Sequence, residues 1–291
     1  MDVLYRTGLP RTSCDNNRRG YEMVKKIAKY FFLGLLCLII LAAAVASPFV
    51  IAAKREGDRM YARYDSYTRE VLDERVQLRP YPIKTEFQKI HPWKAFKMLK
   101  FLVDSRQGER LARVNNIDAT MFVFMRMYTL LIRPNYAYNL PMLSVDLIFV
   151  GGKRIFVIEV IDPARVEDGN KKTYYDRMRT WEDEVKKFEP MDIEMEWCKD
   201  IVTDFSVHIQ ADRTKDDTLF EIYKTFLDAY IGMAENAPQL TPEMSKKVQE
   251  GMEGYVTTLL ERGGPAVNVF KQILGPEKQK EYILTVMFGV K

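Results

Sequence analysis

Two periodicities divide the chain. Near its middle, Leu143, Val145, Leu147 and Phe149 fall on one side of an extended segment. Ser144, Asp146, Ile148 and Val150 fall on the other, the two-residue repeat of a strand. Gly151-Gly152 follows at once as a two-residue hairpin signal, and 154–161 reads as the return strand. Such a loop pairs Val150 with Lys153, so Val157 is expected opposite Asp146 and Glu159 opposite Ser144. Further strands are expected at 110–116, 121–132 and 205–210. A short helix is expected at 92–103, carrying Phe96, Leu99 and Phe101, and a charged one at 171–188. From Asp216 onward the helical period stands alone, with Leu219, Ile222, Phe226, Tyr230 and Ile231 on one side of 218–233. Thr241 is placed to cap a helix running to about 260, and the break at Arg262-Gly263-Gly264-Pro265 precedes two closing helices, 266–274 and 276–287. Strands followed by helices predict an α+β fold, layered on a mostly antiparallel sheet.

The N-terminal quarter behaves differently. No charged residue occurs from Tyr30 to Ala53, a stretch of about 36 Å as helix against a hydrocarbon core of about 30 Å. It reads as an uncleaved single-pass anchor. A cleavable leader ending at the small residues near Ser47 is disfavoured by the length of the apolar run and by Pro48 directly after the cut. Arg6, Arg11, Arg18, Arg19, Lys25, Lys26 and Lys29 precede the span, and Lys54, Arg55, Arg59, Arg63 and Arg69 follow it. The positive-inside rule therefore tips the N-terminus only slightly toward the cytoplasm, and the side occupied by the domain stays open. The expected organisation is a basic tail (1–29), a transmembrane helix (30–53), a charged linker helix (54–79) and a folded domain (80–291). Tyr61, Tyr64, Tyr67 and Val71 form a stripe on the linker helix that could rest on the domain or on a partner.

Composition narrows the chemistry. The net charge of +4 arises from 44 basic and 40 acidic residues thoroughly interspersed, which is no footprint for nucleic acid. Of three cysteines only Cys198 falls in the domain, and the two histidines, His91 and His208, lie far apart. No disulfide within the domain, metal site or Ser/His or Cys/His nucleophile is expected. No glycine-rich phosphate loop occurs. What remains is acidic: Asp146 and Glu159 are diagonal neighbours on one face of the hairpin, roughly 7–8 Å apart at the backbone. If that face is apolar, burial and mutual repulsion raise at least one pKa toward the range of a proton donor at neutral pH. The alternative is a half-exposed sheet on which either carboxylate meets water or an arginine.

The string LIRPNYAYNLPMLSVDLIFVGGKRIFVIEVIDP, and VFKQILGPEKQKEYILTVMFGV near the C-terminus, resemble the central and closing segments of ferredoxin-dependent bilin reductases. The resemblance implies an α/β/α three-layer sandwich with an open-chain tetrapyrrole held between the sheet and the C-terminal helices. It implies no metal and no permanently bound cofactor: ferredoxin supplies electrons, and protein carboxylates supply protons. Asp146 falls on the family's strand aspartate. The family's histidine, asparagine in some members, falls on Thr129, and its C-terminal aspartate and lysine fall on Gly264 and Pro265. Glu159 or Asp118 could then serve as the second acid, and Arg133 could grip a propionate. Two readings follow: a membrane-anchored bilin reductase, or a membrane-anchored, non-catalytic tetrapyrrole-binding or assembly subunit of the same fold.

Overall fold

The computed structural model describes residues 48–92, 99–122, 124–191 and 196–290. Most of the expected span at 30–53 lies outside these residues. Among the described residues, no helix is long and apolar enough to cross a membrane. The chain divides into two compact units, Met1–Ile51 and Ala52–Lys291. The second, which carries the site, is described below.

Its centre is one antiparallel sheet. Strands β1 (Arg79–Pro80), β2 (Lys89–Ile90), β3 (Leu99–Gln107), β4 (Arg113–Met121), β5 (Met125–Arg133), β6 (Met142–Val150), β7 (Lys153–Ile161), β8 (Glu189–Pro190) and β9 (Val207–Asp212) run in the order β1-β3-β4-β5-β6-β7-β9-β8, with β2 beside β3. Consecutive long strands are neighbours from β3 to β7, so local hairpins build most of the sheet. The β6–β7 hairpin has the expected register, Val150 facing Lys153, Asp146 facing Val157 and Ser144 facing Glu159. Gly151 takes φ +54°, a left-handed conformation open to glycine, although a Cβ there would meet nothing. The constraint on this turn is therefore conformational and not one of space.

Helices cover both faces. On one lie α1 (52–75), α3 (Gly169–Arg179) and α5 (Asp216–Glu235); on the other lie α6 (Pro242–Arg262), α7 (Pro265–Leu274) and a closing segment made of α8 (Pro276–Glu281) and a wide helical turn, Tyr282–Met287. The short helices α2 (Thr85–Gln88) and α4 (Glu182–Val185) complete the set. Alternation sorts the strands between two cores: Tyr128, Leu130, Val145, Leu147, Phe156 and Ile158 pack with α1 and α5, while Phe101, Ile117, Leu131 and Met142 pack with α6, α7 and the closing segment. The expected three-layer arrangement is present.

Several elements differ from expectation. The helix expected at 92–103 is strand β3 from Leu99 onward, because Phe101, Val103 and Ser105 alternate with Leu102, Asp104 and Arg106 and pair residue by residue with β4. The strand expected at 110–116 runs instead from Arg113 to Met121, hidden by its polar residues. Asn115 donates to the carbonyls of Val286 and Met287 at 3.0 and 2.8 Å, while Asn116 donates to Asp65 of α1 at 2.5 Å from the opposite face. Both amide nitrogens find acceptors across layers, so the strand carries them. The helix expected at 171–188 breaks into α3 and α4 at Thr180-Trp181, where the Trp181 indole donates to Thr225 of α5. The expected linker helix is a layer of the domain. Met60, Tyr64, Val71 and Leu72 are buried, and the Thr68, Tyr128 and Tyr223 hydroxyls form a buried hydrogen-bonded triangle beneath it.

Candidate active site

On the face beneath α6 and α7, strand alternation produces an uneven surface. Ser144, Asp146 and Ile148 on β6, Met127 on β5, and Ile155 and Val157 on β7 remain half-buried, whereas their neighbours pointing the other way are fully buried. The middle of this sheet face is thus less deeply covered than the opposite one, and a few polar side chains lie on it.

Asp146 is the first of these groups. Thr129, its partner across β5–β6, donates its hydroxyl to Asp146 Oδ1 at 2.6 Å. Removal from water raises the Asp146 carboxyl from the ordinary 3.8 to about 6. The Thr129 hydrogen bond opposes this rise, and the nearby Glu159 charge adds to it. The Asp146 carboxyl is poised to hold a proton near neutral pH and give it up.

Glu159 lies on the same face, diagonal to Asp146 through Val157. Its Oε1 meets Nε2 of His208 at 2.9 Å. His208 stands opposite Val157 on β9, so the three side chains form a row across β6, β7 and β9. Tyr255 of α6 lies buried near them. Its phenol is held far above its usual range, first by burial and then by the charges of Glu159, Cys198 and Asp146. Its ring lies 5.6 Å from that of Trp197 and 6.0 Å from that of Phe288. Cys198 is buried beside Glu159, and burial pushes its thiol up to about 11, so it is inert as a nucleophile.

Arg133 shares this face four residues beyond Thr129, roughly 13 Å along the strand. It is buried, donates to the carbonyls of Pro134 and Gly289 at 2.9 and 3.2 Å, and stacks 4.8 Å from the Tyr136 ring. Arg113 faces it across β4–β5 and lies 3.2 Å over the Tyr81 ring. Among the described residues neither guanidinium has a carboxylate partner at ion-pair distance, and burial lowers the pKa of both. The expected propionate grip at Arg133 is therefore set deep, under the closing segment.

Asp118 stands apart. It is the register partner of Tyr128 and so points to the opposite face, where Arg126 Nη1 binds its carboxylate at 2.6 Å. The sheet separates it from Asp146, and Arg126 pairs with it on the opposite face. Gly264 is buried at the start of α7, with Pro265 on its first turn. Two hollows on the surface, one bordered by Arg55, Glu56, Arg59, Arg213 and Asp216 and the other by residues including Arg75, Gln107, Arg110 and Glu235, contain none of the expected site residues.

Sequence reasoning missed His208, Tyr255 and Arg113. For His208 the available signal was its parity on the strand expected at 205–210. Only the pairing of β9 with β7 brings it beside Glu159.

Comparison with known proteins follows the same outline. The family described as ferredoxin-dependent bilin reductase matches residues 65–289. Phycoerythrobilin:ferredoxin oxidoreductase of Gloeobacter violaceus is 22% identical over 242 residues, covering 80% of this chain and 96% of the relative. The crystal structure of tomato phytochromobilin synthase, in complex with biliverdin, superposes with a TM-score of 0.67 at 15% identity, covering 79% of this chain and 83% of that one, a likeness of fold.

Proposed function

We propose, on the premise that this chain belongs to the ferredoxin-dependent bilin reductase family, that it reduces a linear tetrapyrrole with electrons from ferredoxin and a proton from Asp146. One observation carries this reading: a carboxyl held at about 6 by desolvation, on a sheet face it shares with Glu159 and the half-buried Ser144, Ile148 and Val157. In this reading the pigment lies between the sheet and α6–α7. Ferredoxin passes electrons to it one at a time, and the protein's part is to bind, orient and protonate. Thr129 holds the Asp146 carboxyl toward the pigment, the service a hydroxyl can give where the family has an imidazole. Glu159 supplies the second proton in place of groups lost at Gly264 and Pro265. Arg133, with Arg113 beside it, offers positive charge for a propionate at one end of the pigment.

The uncharged run 30–53 supports a membrane tether for this enzyme, and carbonate extraction of cell membranes tests it. A second reading draws on the same departures. With Thr129 unable to titrate near pH 7, and Gly264 and Pro265 without side-chain acids, the domain would bind a tetrapyrrole without reducing it. Mixing the protein with biliverdin and recording absorbance, then adding reduced ferredoxin, separates the two. A shifted pigment spectrum that bleaches or moves on reduction supports the enzyme. A shifted spectrum unchanged by ferredoxin supports the binder, and no shift at all sinks both.

A further inference from the structure

Reduction of one double bond adds two electrons and two protons to the pigment, so one carboxyl cannot complete the reaction without being recharged or joined by a second donor. The positions that would provide the second donor by family pattern carry Thr129, Gly264 and Pro265. The same sheet face holds an unassigned pair. Glu159 is buried, and its Oε1 is 2.9 Å from Nε2 of His208, which is half-buried on β9, toward the sheet edge formed by the short strand β8.

We infer that His208 charges Glu159 with the second proton, and that the Glu159–His208 pair replaces the imidazole that the family places beside its strand aspartate. The inference rests on the reductase reading above and deepens it. Asp146 gives the first proton to the reduced pigment and is left as carboxylate. Glu159 gives the second, and the imidazolium of His208 returns a proton from Nε2 to the Glu159 carboxylate. The neutral ring then takes a proton from water at the β8–β9 side. Every proton in this sequence comes finally from solvent, and both electrons come from ferredoxin. Among the described residues, the other titratable groups acting around the pair are Asp146 from β6, Tyr255 from α6, and Cys198 with its neighbour Lys199 from the loop before β9. With Tyr255 and Cys198 both pushed up by burial, neither gains charge near neutral pH. His208 is then the side chain in this row whose ring can both accept and donate a proton.

His208 acts through Glu159 and is a positioning and relay residue, so its test needs more than lost activity. Single-turnover reduction of biliverdin by reduced ferredoxin is followed by absorbance across pH 5–9 in the full chain, His208→Gln, Glu159→Gln and the double variant. Glutamine keeps a hydrogen-bond donor at position 208 without a titrating ring. The expected result is unchanged biliverdin affinity by spectral titration, a rate at least about tenfold lower within the usual range for a lost acid–base group, and loss of the neutral-range titration from the rate profile. The double variant is expected to be no slower than either single one, as for groups working as a unit. A His208→Gln enzyme with the parental rate and pH profile overturns the inference while leaving the reductase reading intact. So does a loss confined to pigment affinity. A parental protein that never reduces biliverdin fells the reductase reading itself, and this inference with it.

Discussion

At Asp146, burial has a thermodynamic consequence besides the catalytic one proposed. The folded carboxyl keeps its proton up to about pH 6, while the unfolded chain releases it near 3.8. Between those values the folded state binds more protons, so stability falls as pH rises and the loss is complete above about 6. A rise of that size corresponds to roughly 3 kcal/mol. Asp146→Asn removes the charge and keeps an acceptor for Thr129. Its melting temperature is expected to exceed the parent's at pH 8 by a few degrees and to converge with it near pH 4. Melting curves over that range would place the carboxylate in water if the two proteins differed by a constant amount. The same variant is expected to lose about two to four orders of magnitude in bilin reduction. Thr129→Val deletes the bond that favours the charged form. It is therefore expected to move the acid-group titration in the reduction rate above 6, read from the pH–rate profile. Asp146 was legible in the sequence because a lone charge inside an apolar strand is a local anomaly. Asp118 was equally acidic, yet its parity against Thr129 put it on the face opposite Asp146, which a register argument extended by one strand would have revealed.

Among the elements, the closing segment 276–290 is the one that would help roof the proposed pigment site. Asn115 holds it to β4 through two backbone carbonyls, and Arg133 holds it through Gly289. Asn115→Ala leaves both carbonyls buried without their donor, an expected loss of about 1–3 kcal/mol in denaturant unfolding, with weaker pigment binding. Gly289 has φ +59°, and a Cβ there would run into the Arg113 guanidinium. Gly289→Ala is expected to destabilise the fold and loosen the roof, measured by unfolding midpoint and biliverdin affinity. A neutral result would mean that Arg113 moves aside freely. The β6–β7 hairpin was readable to the residue because two glycines and a strict alternation fix register locally. Strand β3 was not, since its start carries apolar residues at spacings that suit helix and strand alike.

For the molecule as a whole, α1 is the informative case. Its charged surface made it resemble a linker, but its inner stripe buries Tyr64 and Leu72 completely against the sheet and α5. Tyr64 lies 4.9 Å from Tyr223 and 5.1 Å from Phe220 of α5, ring to ring. A fragment beginning at residue 52 is expected to fold and bind pigment. One beginning at residue 80 exposes that core and is expected to aggregate or to unfold cooperatively at far lower denaturant, since each large side chain lost from such a core costs about 3–5 kcal/mol. Equal stability of the two fragments, measured by chemical unfolding, would return α1 to the role of a linker.

Alternation, turn chemistry and one misplaced charge gave the hairpin, the mixed class and the place of Asp146 on its strand from sequence alone, because each depends on residues a few positions apart. The family resemblance extended this to three layers and an expected pigment cleft. The layer occupied by α1, the depth of Arg133, the isolation of Asp118 and the meeting of Glu159 with His208 came only from folding. Each depends on which strand lies beside which and which helix covers which face, over separations such as the 49 positions between Glu159 and His208. A chain records its local periodicities in order, but not the distant partners that make a buried charge tolerable or a histidine useful.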